Sequence, residues 1–193
     1  MLGILRTATG NATSVQRALM RLNIPSTFID EPGQLSQVDA LIFPGAGAAQ
    51  AGMRDLRERN FVETLRDFRK PFLGLCLGMQ LLFDFSEEGQ TECLGIIPGS
   101  VRSLPSTVIK PHMGWNRLHT GEFVYFVHGF VCVPEDPRVT TMTVQYGEEF
   151  CAAVRLKNFF GLQWHPEKSG APGDRFLCAF SRFAERSSLQ SWK

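Results

Sequence analysis

Residues 74–80, Gly-Leu-Cys-Leu-Gly-Met-Gln, place a cysteine between a predicted strand and a predicted helix. The apolar run over residues 72–75 predicts a buried strand, and residues 77–83 predict the first turns of a helix. Glycines two positions before and after Cys76 permit a turn too tight for larger residues, and a helix N-terminus favours a thiolate. This pattern has the form of a nucleophile elbow. A buried structural cysteine in an ordinary strand–helix turn is the alternative.

A second motif, Gln-Trp-His-Pro-Glu-Lys-Ser at 163–169, supplies a histidine and a carboxylate. Pro166 biases His165 towards an extended conformation, in which residues i and i+2 project to the same side. Glu167 is therefore expected to orient the imidazole. A cysteine, a histidine and a carboxylate are the three parts of an activated-nucleophile triad. Taken alone, this motif is more typical of a surface turn with a lone histidine, and the elbow at Cys76 favours the triad.

Composition limits the function classes. A chain of 193 residues with 44% hydrophobic residues is long enough for one globular domain, which we assign to residues 1–193 with a polar end at 187–193 that is expected to fray. A formal net charge of +1 gives no electrostatic case for nucleic acid or an anionic membrane. The apolar stretches over residues 2–5 and 72–83 are too short for a signal-peptide core and a membrane span, respectively.

The five cysteines have no paired spacing and form no zinc-like cluster with histidine. Free thiols in a reducing, cytoplasmic setting are the simplest account. No phosphate-binding glycine fingerprint is present, so we predict neither a cofactor nor a metal.

The predicted elements alternate between strand and helix in the first half of the chain and become β-rich after Gly89. This order predicts an α/β fold with a parallel sheet and helices on both faces. The predicted strands cover residues 2–5, 27–29, 40–43, 72–75, 94–97, 101–104, 123–127, 139–144, 152–156 and 159–163. Five helices are predicted. The first begins after Asn11 or Thr13, the second covers about 48–59, and the third includes Phe61, Leu65 and Phe68. The fourth begins at residue 77, and the fifth covers 174–186.

The turn Pro-Gly-Ala-Gly at 44–47 follows a predicted strand and precedes a helix. Ligands of open α/β sheets bind at that edge. Backbone N–H groups exposed by the glycines suit the oxyanion of a tetrahedral intermediate, together with the Leu77 N–H. An ordinary strand–helix turn is the alternative reading.

The nucleophile segment at 74–82, followed by Ser-Glu-Glu-Gly at 86–89, resembles that of the triad (class I) glutamine amidotransferases. Further motifs are similar to those of the glutaminase subunit of imidazole glycerol phosphate synthase, in the same order along nearly the whole chain: Leu-Gly-Ile-Ile-Pro-Gly at 94–99, Pro-His-Met-Gly-Trp-Asn at 111–116, Tyr-Phe-Val-His at 125–128 and the 163–169 segment. The resemblance implies a flavodoxin-like class I glutamine amidotransferase fold and a role in histidine biosynthesis.

By this resemblance, Cys76 is the nucleophile, His165 the general base and acid, and Glu167 its orienter. The Leu77 N–H and the Gly45–Ala46 peptide match the oxyanion region. The resemblance implies that ammonia released from L-glutamine passes to a separate (β/α)8-barrel cyclase subunit in a heterodimer.

The resemblance assigns these positions to glutamine binding: Gln80, Glu88, His128 and Gly129. A carboxylate at Glu88 also suits the α-ammonium group of glutamine on chemical grounds. The resemblance also assigns three positions to the partner interface: Asn11, Trp115 and Lys168. A solvated lysine and a core tryptophan are the alternative for the last two.

The sequence departs from the family pattern in three places. Arg6 stands where an aspartate is common, Gly129-Phe130 stands where Ser-Tyr is usual, and Trp164 replaces a phenylalanine. The rival functions are a glutaminase subunit that feeds a different synthase, such as a pyridoxal phosphate or surface-polysaccharide amino-sugar pathway, a non-catalytic interaction subunit, and a standalone cysteine hydrolase.

Overall fold

The computed structural model describes residues 1–8 and 10–190, whose strands form one large sheet and a separate two-stranded sheet. The strands are β1 (Leu2–Leu5), β2 (Ser26–Ile29), β3 (Ala40–Gly45), β4 (Phe72–Cys76), β5 (Phe85–Ser86), β6 (Thr91–Glu92), β7 (Gly99–Ser103), β8 (His112–Arg117), β9 (Phe123–His128), β10 (Phe130–Pro134), β11 (Thr140–Tyr146), β12 (Glu148–Leu156) and β13 (Phe159–Leu162). The α-helices are α1 (Ala12–Arg21), α2 (Ala49–Glu58), α3 (Val62–Arg66), α4 (Leu77–Gln80) and α5 (Gly170–Gln190).

The large sheet has a parallel half and a mixed half. Strands β2, β1, β3, β4 and β13 lie side by side in that order and run parallel. From β13 the sheet continues through β12, β10, β7, β5 and β6 with mostly antiparallel pairs, and β11 pairs with β12. The carboxyl ends of β3, β4 and β13 meet at one edge of the parallel half, which is where Cys76 ends β4.

The two faces of the parallel half bury two separate cores, because successive side chains of a strand point to opposite faces. On β3, Leu41 and Phe43 join the core that includes Leu56 of α2, whereas Ile42 joins the core that includes Leu19 of α1. Helices α2 and α3 therefore cover one face, and α1 and α5 cover the other. The predicted α/β fold, with helices on both faces and a β-rich second half, is confirmed.

The strand predicted over residues 94–97 is wrong. The amides of this segment donate to the carbonyls of Leu81, Leu82 and Phe83, which follow α4, instead of to a neighbouring strand. The apolar residues are buried there because they cover the end of a helix. Helix α4 is correspondingly shorter than predicted and ends at Gln80.

Strands β5, β6, β8 and β10 were not predicted, and the last helix is longer than expected. That helix begins at Gly170 and continues through Gln190, and residues 191–193 of the expected frayed end lie outside the described residues. Within the described part of the chain, none of the helices combines the length and apolarity that a membrane span requires.

Candidate active site

Cys76 sits in a strained turn between β4 and α4. Its φ of +53° and ψ of −107° are unusual for a residue other than glycine, and such a conformation costs on the order of 1–3 kcal/mol. A Cβ at Gly78 would lie 1.9 Å from the Phe43 carbonyl oxygen, and one at Gly74 would lie 2.5 Å from the Gly78 oxygen. The predicted elbow geometry is confirmed, and its glycines are required by the close approach of backbone segments.

His165 and Glu167 form a buried pair beside this turn. His165 Nδ1 lies 2.8 Å from Glu167 Oε1, and the two side chains are 6% and 3% exposed. The backbone holds the pair in place: the His165 amide donates to the Tyr125 carbonyl at 2.9 Å, and Ser169 Oγ donates to the His165 carbonyl at 2.6 Å. Because a carboxylate only accepts, Nδ1 carries the proton and Nε2 is left to face the cysteine.

His165 and Cys76 line the same pocket, and the charge balance there favours a protonated imidazole. Burial disfavours the charged ring, but the adjacent Cys76 and Glu167 side chains outweigh it and raise the pKa of His165 to about 10. Within the described residues, Nε2 of His165 is buried with no hydrogen-bond partner. The arrangement suits a histidine that exchanges a proton with a cysteine nucleophile.

The pocket has a volume of about 150 Å³ and brings most of the predicted site residues together. The predicted residues that line it are Ala46, Cys76, Leu77, Gln80, Glu88, His128, Gly129 and His165. Gly45 is not in the lining; it is the last residue of β3, where it pairs with Cys76. Glu167 lies behind His165, as an orienting group should. In the described part of the chain, no three His, Cys, Asp or Glu side chains are placed to hold a metal ion.

Gln80 belongs to a buried amide pair, and its partner was missed by the sequence analysis. Gln80 Nε2 donates to the Phe130 carbonyl at 3.0 Å and to Gln163 Oε1 at 3.1 Å. Gln163 is fully buried, and its Nε2 lies 3.7 Å from Cys76 Sγ. A polar residue that directly follows an apolar strand and opens the histidine motif is the signal that identifies Gln163.

Glu88 connects the pocket to a helix. Its Oε2 accepts a hydrogen bond of 2.8 Å from the amide of Ala49, the first residue of α2. This bond fixes the carboxylate at the pocket wall, where a ligand with a positive charge would meet it.

Two predicted interface residues contact the same aromatic ring, that of Tyr125. Trp115 is 58% exposed, which excludes the core position considered above, and its ring packs edge-on against Tyr125 at 6.1 Å. Lys168 Nζ lies 5.6 Å from the centre of the same Tyr125 ring. Asn11 directly precedes α1, and its carbonyl accepts hydrogen bonds from the amides of Ser14 and Val15.

The three departures from the family pattern each have a local structural setting. Arg6 Nε donates to Asp30 at 2.7 Å, so its charge is paired within the chain. At Gly129 a Cβ would have no atom within 4 Å, so a serine would also fit. Trp164 is buried and packs edge-on against Phe176, at 5.6 Å between ring centres.

Comparison with known proteins adds independent findings. The family model for glutamine amidotransferase class-I matches residues 7–182. The imidazole glycerol phosphate synthase subunit HisH of Exiguobacterium sibiricum is 44% identical over 197 residues, which cover 99% of this chain and 100% of that protein. The HisH subunit of Aquifex aeolicus is 41% identical over 194 residues, with coverage of 92% and 94%.

Solved structures agree in fold. A crystal structure described as a glutamine amidotransferase has a TM-score of 0.76 at 19% identity and covers 93% of this chain and 98% of its own. The structure of PurLQS from Thermotoga maritima has a TM-score of 0.64 at 19% identity, with coverage of 100% and 98%. At this level of identity the likeness concerns the fold alone.

Proposed function

Because this chain belongs to the class I glutamine amidotransferase family, among the HisH subunits of imidazole glycerol phosphate synthase, we propose that its pocket hydrolyses L-glutamine through a thioester on Cys76. The chain is a glutamine amidotransferase of histidine biosynthesis and acts with a partner cyclase subunit. Beyond this, we propose the roles of the individual residues, a (β/α)8-barrel form for the partner and a cytoplasmic location.

The reaction begins at the sulfur. The Cys76 thiolate attacks the side-chain amide carbon of glutamine, and His165 gives its Nε2 proton to the departing ammonia. A glutamyl thioester remains. His165 then takes a proton from water, the resulting hydroxide attacks the thioester, and glutamate leaves with the thiolate restored. Glu167 keeps the His165 proton on Nδ1 and stabilises the imidazolium, as the 2.8 Å contact supports.

The oxyanion of the intermediate needs hydrogen-bond donors, and the α-ammonium group of glutamine needs a carboxylate. The Leu77 N–H and the Gly45–Ala46 peptide are the proposed oxyanion donors. The two segments pack closely, since a Cβ at Gly45 would lie 2.7 Å from the Leu77 Cβ. Gln80 and Glu88 would hold the backbone ends of glutamine, and His128 with Gly129 would lie along it. Glu88 is the one of these that supplies a negative charge for the α-ammonium group.

The ammonia is proposed to pass directly to a (β/α)8-barrel cyclase that covers the site. Free ammonia would largely protonate in bulk water and lose its nucleophilicity, so direct delivery to a docked partner is chemically reasonable. The exposed Trp115, next to Tyr125 and Lys168, supports docking at this face. A cytoplasmic location is proposed from the free cysteines of the described residues, which suit a reducing compartment.

The observation that carries the proposed function is the strained Cys76 sharing a pocket with a His165 that is oriented by a buried carboxylate. The test is a glutamine-analogue electrophile applied to the complex of this chain with its cyclase subunit, followed by peptide mapping. Cys76 should carry the label, and Cys76→Ala should abolish glutamine hydrolysis while retaining the complex.

Cys178 provides the matched control, because it is the partly exposed thiol among the described cysteines. Cys178→Ala should label and turn over like the wild type. Wild-type glutamine turnover in Cys76→Ala would overturn the assignment of the nucleophile and favour a non-catalytic or differently built site.

A further inference from the structure

The hairpin of β8 and β9 buries a pair of histidines that the thioester chemistry does not use. His112 and His128 lie directly opposite each other in the antiparallel register and are 3% and 5% exposed. The His112 ring stacks on Phe126 at 4.7 Å and on Tyr146 at 4.1 Å between ring centres. His112 comes from the motif at 111–116 and has no role in the scheme above.

The hydrogen bonds around this pair have a fixed direction. The Phe130 carbonyl can only accept, so His128 Nδ1 donates to it at 2.8 Å, and the neutral His128 ring accepts at Nε2. His112 Nδ1 lies 3.0 Å from that Nε2 and is therefore the donor. His112 Nε2 in turn accepts a hydrogen bond from Asn116 Nδ2 at 3.2 Å. The same Asn116 nitrogen donates to the Gln145 carbonyl at 3.0 Å, which identifies it as the amide nitrogen.

Both rings are neutral near pH 7, as this direction requires. Burial lowers the pKa of His112 to about 4 and that of His128 to about 3. Each neutral ring then has one donor and one acceptor, and every one of these four positions is used in the chain of bonds.

The chain of bonds continues to the nucleophile. The carbonyl that accepts from His128 also accepts from Gln80 Nε2 at 3.0 Å. Gln80 donates to Gln163 at 3.1 Å, and the Gln163 amide lies 3.7 Å from Cys76 Sγ. A continuous series of hydrogen bonds therefore joins β8 to the pocket that is proposed to bind glutamine.

We propose that His112 is a positioning residue for this pocket. Its Nδ1–H holds the His128 ring so that the other ring nitrogen donates to the Phe130 carbonyl. That carbonyl is thereby fixed as the acceptor that orients the Gln80 amide towards the substrate. This role rests on the proposed glutaminase function, and it predicts that loss of the Nδ1–H weakens glutamine binding more than it slows the chemical steps.

The first test is spectroscopic. The chain contains four histidines, so each ring can be resolved in a long-range ¹H–¹⁵N correlation spectrum of the wild-type protein near pH 7.5. His112 and His128 should both be Nδ1–H tautomers. His119 is the internal contrast, because its Nδ1 accepts from the Thr143 amide at 3.0 Å and its proton must sit on Nε2. An Nε2–H tautomer at His112 or His128 would overturn the proposed direction.

The second test is kinetic, on the complex with the cyclase subunit. His112→Phe keeps an aromatic ring between its stacking partners and removes the donor, and it should raise KM for glutamine about 5-fold, the effect of one neutral hydrogen bond. The value of kcat should stay within about 3-fold of wild type, because the groups at the scissile bond remain. His112→Asn puts an amide N–H near the position of Nδ1 and should recover most of the loss.

The controls separate this role from packing and from the proposed function. His119→Phe, at an exposed position, should leave KM unchanged. A wild-type KM in His112→Phe, or a loss in His112→Asn as large as that in His112→Phe, would overturn the positioning role and leave the proposed function intact. If the wild-type complex does not hydrolyse glutamine, the proposed function fails and this role fails with it.

Discussion

Replacing Glu167 by glutamine tests the part of the proposed triad that is not expected to touch the substrate. The two side chains of the His165–Glu167 pair are 6% and 3% exposed, and the separation of 2.8 Å is that of a charge-assisted hydrogen bond. Glutamine has nearly the same shape as glutamate, so the fold should be kept. The substitution removes the negative charge and lets the new amide donate, which favours the wrong His165 tautomer.

The size of the effect follows from the kind of bond that is lost. A hydrogen bond to a charged group contributes about 1.5–3 kcal/mol, and the bond is strongest when the imidazolium forms. A transition state that loses this stabilisation reacts about 10- to 150-fold more slowly. We therefore expect kcat/KM for glutamine to fall by about that factor in Glu167→Gln, with a smaller change in KM than in kcat.

The pH dependence of stability provides a second readout of the same pair. The pKa of His165 is raised to about 10 in the folded chain and is about 6.5 in an unfolded one. Between these values the folded chain holds a proton that the unfolded chain releases, so the free energy of unfolding should fall as the pH rises. That fall should be shallower in Glu167→Gln, because one of the groups that raise the pKa is gone.

The assay is cyclase-stimulated glutamine hydrolysis, measured together with urea unfolding at several pH values. Glu63→Gln is the matched control, since Glu63 is 78% exposed and pairs with Arg66 three residues later on α3. It should change neither kcat/KM nor the pH slope. A Glu167→Gln complex with kcat/KM within 2-fold of wild type would refute the orienting role of the carboxylate.

Further substitutions and a pH titration test the elbow, the interface and the acid limit of the fold. Gly78→Ala would place a methyl group 1.9 Å from a backbone oxygen of β3 and should lower the free energy of unfolding by about 3 kcal/mol or more. Gly129→Ser has open space around it and should change that free energy by less than about 0.5 kcal/mol. Urea unfolding measures both. Trp115→Ala and Lys168→Ala should reduce the stimulation of glutamine hydrolysis by the cyclase. An exposed ion pair of Lys168 with a carboxylate of the cyclase would account for about 0–1 kcal/mol of lost affinity. Unchanged stimulation in both variants would place the interface elsewhere. Burial lowers the pKa of the histidines paired between β8 and β9 to about 4 and about 3, so the unfolded chain binds more protons below pH 6.5. Stability should therefore fall towards pH 4, with a flatter slope when the β8 histidine is replaced by phenylalanine.

The parallel half of the fold could be predicted because its information is local. Short apolar strands, turn residues and amphipathic helices follow one another, and the glycines around Cys76 identify the tight turn. The same holds for His165 and Glu167, since an extended chain brings residues i and i+2 to one side. Cys76, His165 and Glu167 lie close together because strands β4 and β13 are neighbours in the sheet.

The second half was harder because its apolar pattern and its strand pairing do not always coincide. Strand β8 faces the interior with His112 and Asn116, and a strand whose inward side chains are polar gives no apolar alternation to detect. Leu94 and Ile97 show the opposite problem, because they are apolar and buried without belonging to a strand. Gln163 was missed because its role depends on a contact with Gln80, 83 residues away in the sequence.

The β8–β9 hairpin carries residues of the proposed partner interface on one side and residues next to the proposed glutamine pocket on the other. Its outward residues include Trp115 and Tyr125, and its inward residues include His112 and His128, because the side chains alternate along both strands. The hairpin is a sheet of its own, so it is not fixed by pairing along its whole length with the main sheet. A partner that packs on Trp115 therefore acts on the same two strands that position the pocket wall. For this reason the interface substitutions are expected to change the stimulation of hydrolysis even where they change affinity little.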